Sequence, residues 1–130
     1  MAETKPRGMW VLRILSAVFL LAAGGIHLYL VFNGVGGVLG VMFVLNAVAA
    51  LVLAIAMIAL PGRHFRVASV LSLLFLIVTL MALVLALTVG LFGITVTWDF
   101  MLVRETVIVE SIGVVVLAVT AVLAFRSPRG

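Results

Sequence analysis

Four apolar stretches, each about two dozen residues long, dominate this chain, and they leave it few ways to fold. They run over about 9–32, 37–60, 65–90 and 102–125. Each exceeds the roughly 20 residues that cross a bilayer as a helix. In lipid an isolated strand leaves its backbone polar groups unpaired, so the pattern predicts four helices. The expected fold is all-α, a single membrane domain over 1–130 forming an up-down-up-down bundle of four transmembrane helices.

Composition supports lipid over water. Of 130 residues, 67% are hydrophobic and 9% charged, and the mean hydropathy is +1.52. Soluble domains usually carry about 25% charged residues. The net charge of +4 does not point to nucleic acid, because there is no basic face and no aromatic-and-arginine platform. With no cysteine in the sequence, disulfides and thiolate metal sites are excluded.

The breaks between the runs fit this plan. Asn33, Gly34, Val35, Gly36 and Gly37 make an uncharged turn, and Pro61 and Gly62 break the chain before Arg63 and His64. A third connection, over about 91–101, holds Trp98, Asp99 and Phe100. Its β-branched Ile94, Thr95, Val96 and Thr97 favour extended chain, with a short interfacial helix as the alternative.

Charge sets the expected orientation. Lys5, Arg7, Arg13, Arg63, Arg66, Arg126 and Arg129 fall on one side of a four-span arrangement, and only Arg104 falls on the other. Basic residues concentrate on the cytoplasmic side, so a multi-pass plasma-membrane protein with both termini cytoplasmic is expected. Trp10 and Trp98 fall near opposite interfaces, where indoles anchor helices. Lys5 and Arg7 before an apolar run resemble a signal peptide, but the run is too long for an h-region, and retention as a span is expected.

Three polar residues lie within the spans: His27, Asn46 and Glu110. At 1.5 Å per residue they sit roughly 8, 14 and 12 Å from the outer ends of their helices. Intramembrane ionisable groups are costly and seldom face lipid. The three therefore form a candidate interior cluster from three helices, able to hold one proton or a small cation as a coupled unit. The plainer reading is that they hydrogen-bond one another and fix helix packing, at about 0.6 kcal/mol each.

Three- and four-residue steps predict the inward faces. They carry Thr106, Glu110, Gly113, Leu117, Ala121 and Ala124 in the fourth span, and Ala17, Leu21, Gly24 and His27 in the first. The second contributes Asn46, Ala50, Leu53 and Met57, and the third Ser69, Ser72, Leu76 and Thr79. Gly36 and Gly40 make a weak G-x-x-x-G signal.

One histidine, one carboxylate and no cysteine make a poor metal site, and one intramembrane histidine cannot ligate haem from both sides. No cofactor is expected. Ser16, Ser69, Ser72, Ser111 and Thr120 read as backbone-bonding helix residues, and without a nucleophile–base pair the sequence leans away from an enzyme.

Gly25-Ile26-His27-Leu28-Tyr29-Leu30, Leu45-Asn46-Ala47-Val48-Ala49 and Thr88-Val89-Gly90-Leu91-Phe92-Gly93, together with Glu110, resemble a group of small, uncharacterised four-helix membrane proteins common in actinobacteria. A looser similarity is to the DoxX-like four-helix proteins. The resemblance implies the four-helix fold and no particular activity. The leading functional expectation is an accessory or partner-binding membrane subunit, either in a homo-oligomer or in a larger membrane complex. The alternative is a small proton-coupled transporter using His27, Asn46 and Glu110.

Overall fold

The computed structural model describes residues 6–91, 93–100 and 102–126. Lys5, Phe92, Met101 and Arg129 lie outside the described residues. The chain forms a bundle of four helices: α1 (Pro6–Phe32), α2 (Gly37–Ala59), α3 (Gly62–Thr88) and α4 (Val103–Arg126). All four are long and apolar enough to cross a membrane, with hydropathies of 2.1 to 3.0 over their most apolar stretches. At 23 to 27 residues they are roughly 35–40 Å long, longer than the roughly 30 Å of hydrocarbon.

Local chemistry sets the helix ends. At the end of α1, Val35 N–H donates to Leu30 O at 3.0 Å and Gly34 N–H to Val31 O at 3.3 Å, which satisfies carbonyls the helix leaves free. This closure needs a left-handed residue, and Gly34 supplies it at φ +108°. α3 begins at Gly62, earlier than expected, because Pro61 O accepts the Phe65 N–H at 3.2 Å. Arg63 and His64 therefore belong to its first turn. The connection from α3 to α4 contains no helix among its described residues. Leu91 and Ile94 pair as an antiparallel bridge, and Val96 N–H reaches back to Ala86 O at 3.0 Å.

Cross-helix contacts establish the up-down-up-down order. Arg13 of α1 meets Met57 and Leu60 at the far end of α2, while His27 meets Phe43 near its start. Ser16 meets Thr120 of α4, and Arg66 of α3 faces Phe125. α1 packs closely on α2 and α4, and α3 on α4, while α2 and α3 touch over a thinner seam.

Small residues make the close approaches possible, as helix association in lipid favours. A Cβ on Gly24 would lie 2.6 Å from Ala50 Cβ, and one on Gly113 would lie 2.8 Å from Leu76 Cδ1. Around them Leu20, Met57, Phe65, Leu76 and Leu117 form a fully buried core.

The α4 stripe is buried as its spacing predicts. On α1 one position differs: Leu21 is 47% exposed and Leu20 is 0% exposed. Because α1 has neighbours on both sides, its buried arc is centred near Leu20, and Leu21 falls past the edge. The G-x-x-x-G pair serves a turn and not a helix contact. Gly36 precedes α2 as its N-cap, and a Cβ on Gly40 would press to 2.9 Å from Val35 O.

Candidate functional site

His27, Asn46 and Glu110 all turn away from the bundle surface, but they do not bond to one another. His27 is buried, and its Nδ1–H donates to Ala23 O of its own helix at 2.7 Å. Its ring meets Phe43 of α2 edge-on, with centroids 4.8 Å apart at 87°. Asn46 is half-buried, and its amide oxygen is buried without a partner. Glu110 is 0% exposed, and neither carboxyl oxygen has a hydrogen-bond partner. The expected hydrogen-bonded unit does not form. Each side chain is held by the rigid phase of its own helix, and the phases leave the three polar ends apart.

Between the four helices, at the end where α1 turns into α2, lies a chamber of about 80 Å³. His27 and Leu30 of α1, Leu39 and Phe43 of α2, and Thr79, Leu83 and Ala86 of α3 contribute walls. Val103 and Thr106 of α4 complete the ring, and Leu91, Ile94, Val96 and Phe100 of the last connection cover it. The walls are apolar apart from His27, Thr79 and Thr106. Glu110 follows Thr106 by one helical turn on the same buried stripe of α4, although it is not itself one of the lining residues.

Thr79 and Thr106 entered the sequence analysis only as members of helix stripes, although they are the chamber's other polar walls. Their signal was available: both lie on the inward stripes, at the depth of His27. Each hydroxyl is tied to its own helix, Thr79 to Leu76 O at 3.1 Å and Thr106 to Leu102 O at 2.6 Å. Such back-bonding is the ordinary state of a helical threonine.

Arg13 is the residue whose role the sequence hid. Read there as a topology signal, it sends its guanidinium across to the last turn of α2. Nη1 donates to Met57 O at 3.3 Å and to Ile58 O at 3.2 Å, and Nη2 to Leu60 O at 3.0 Å. Those carbonyls have no partner within the helix, and a cation there also complements the negative end of the helix dipole. Ser16 likewise departs from the expected backbone bonding. It meets Thr120 across the α1–α4 seam at 3.3 Å, while Thr120 donates to Val116 O at 2.7 Å.

Trp10 is 47% and Trp98 52% exposed, and they lie at opposite ends of the bundle. Beside Trp98, the Thr97 hydroxyl donates to the Asp99 carboxylate. That bond, helped by the Asp99 backbone N–H, holds this exposed carboxyl below its ordinary pKa. Among the described residues, no three His, Asp or Glu side chains gather as a metal site would require. Comparison of the chain with family models, with curated proteins and with solved structures finds no match.

Proposed function

We propose that this four-helix membrane protein is a small carrier that exchanges a proton at Glu110 while a solute occupies the chamber beside it. The observation that supports this most is the Glu110 carboxyl, fully buried with both oxygens unpartnered. An unsatisfied buried polar group costs about 1–3 kcal/mol, and more if charged. A bundle held by small-residue packing has no structural use for that cost. His27, lining the chamber, offers a second titratable site, and Asn46 an unsatisfied amide oxygen. In this reading the protein resides in the plasma membrane with both termini cytoplasmic. Seven of the eight basic residues, all but Arg104, support that orientation through the positive-inside rule.

The test is proton flux into liposomes carrying the full chain under an imposed pH gradient. Wild type should conduct, and Glu110→Gln, close to isosteric, should lose flux while keeping its helical circular dichroism. Equal flux in both proteins overturns the reading.

A second reading, that of an accessory subunit in a homo-oligomer or larger membrane complex, draws support from a different feature. α2 and α3 bury 17% of their most apolar stretches against the rest of the chain, compared with 39% for α1 and 33% for α4. Co-purification in mild detergent distinguishes the two. A subunit should emerge with stoichiometric partner or as a defined oligomer, and Glu110→Gln should leave that association intact.

A further inference from the structure

Two arginines are drawn into the bundle at the end that carries both termini, and they are satisfied differently. Arg13 spends its guanidinium on the carbonyls of Met57, Ile58 and Leu60. Arg66, in the second turn of α3, is half-buried, and its Nε is sealed from solvent without a hydrogen-bond partner. Its guanidinium carbon lies 5.9 Å from the ring centre of Phe125 in the last turn of α4, a ring that is 56% exposed. Arg63, exposed and three residues earlier, adds a second cation on the same helix face, and like charges at that spacing repel. The described acidic residues, Asp99, Glu105 and Glu110, all lie in the half of the bundle where α4 begins. Glu3 lies outside the described residues, and the test below removes it. A buried donor on a charged group costs more unmatched than a neutral one does, so this corner favours an anion.

Its depth is that of a phospholipid phosphate. α3 has 27 residues and is roughly 40 Å long, so it overruns a hydrocarbon layer of roughly 30 Å by about 5 Å at each end. Arg66 stands four residues from the start of α3, roughly 6 Å in, where headgroups meet acyl chains. Below it the surface turns apolar. Val70 and Leu73 follow Arg66 on one face of α3, and Val122 and Ala118 stand in the same way below Phe125 on α4. All four are partly or fully exposed.

We infer that the corner formed by Arg63, Arg66 and Phe125 binds the phosphate of an anionic phospholipid, whose acyl chains run along the apolar stripe beneath. Basic sites between helix ends hold such headgroups in other membrane proteins. The stripe favours a lipid over a free phosphate ion, which has no apolar part to lay against it. This site is independent of Glu110 and of proton flux.

The experiment titrates the full chain in detergent with dioleoyl phosphatidylglycerol and with dioleoyl phosphatidylcholine, counting bound lipid by native mass spectrometry. One phosphatidylglycerol should bind at least about tenfold more tightly than phosphatidylcholine, and Arg66→Gln should remove that margin, as loss of a hydrogen bond to a charged group does. Arg7→Gln, which removes the same charge from an exposed position at the same end, should keep it. Arg66→Lys retains the charge but not the Nε donor or the planar fork, and should bind with intermediate affinity. Equal losses in Arg7→Gln and Arg66→Gln would show diffuse attraction and overturn the inference, as would full affinity in Arg66→Lys or equal binding of the two lipids. Displacement of the lipid by inorganic phosphate would assign a free anion instead and overturn the lipid. Glu3→Gln should bind as wild type does, and a tenfold gain would make Glu3 the partner of Arg66 and overturn the site.

Discussion

The guanidinium of Arg13 lies 3.8 Å from the centre of the Phe65 ring, so α1 and α3 meet through a cation and an aromatic face. The same group caps the last carbonyls of α2, and Trp10 stacks at 5.3 Å from its carbon. One side chain therefore joins three helices at the terminal end of the bundle.

Arg13→Lys should separate the two roles of this residue. Lysine keeps the charge that sets topology, but it has no planar fork to share among three carbonyls. Orientation, read by protease accessibility of the termini, should be unchanged. Stability in detergent should fall by about 1.5–3 kcal/mol, the range for hydrogen bonds to charged groups. An unaltered unfolding midpoint would show the cap to be incidental.

The approach of Gly24 to Ala50 invites a reciprocal exchange. Gly24→Ala places a methyl where the space measures 2.6 Å, and overpacking of this kind costs about 1–3 kcal/mol. Ala50→Gly in the same chain should recover most of the loss, a coupling that a double-mutant cycle measures directly. Additive losses would mean the helices separate freely at this point.

Glu110 should behave unlike a packing residue. Replacing an unsatisfied buried carboxyl with leucine removes a desolvation cost without removing any hydrogen bond. Glu110→Leu is expected to unfold at the same temperature as wild type or higher. A loss of several degrees would mean that the carboxyl has a partner in the membrane and supports the fold.

Asp99 gives a pH effect with a definite sign. Its pKa is depressed in the folded chain, first by the Thr97 hydroxyl. The Thr97–Asp99 link is therefore in place above the unfolded carboxylate pKa and is lost as the pH falls through the lower folded value. Thr97→Ala should move the carboxyl 13C titration of Asp99 upward towards the ordinary aspartate value. An unmoved titration would assign the depression to the backbone N–H alone.

The sequence by itself determined the helices, their number and most of their inward faces. Apolar runs of this length and the steps Thr106, Glu110, Gly113, Leu117 leave few alternatives once the solvent is hydrocarbon. It also placed His27 and Glu110 inside, since neither is tolerated against lipid. Helix phase and depth follow from residue spacing, and spacing is local information.

The tertiary structure decided everything that depends on how one helix is rotated and set against another. Leu20 displaced Leu21 from the core because α1 has two neighbours, and Arg13 found α2 because antiparallel packing brings its level to residues 57–60. The polar trio stayed unbonded because a few tens of degrees of helix rotation separate a hydrogen bond from none. Those rotations come from small-residue packing summed over whole helices, which no single stretch of sequence encodes.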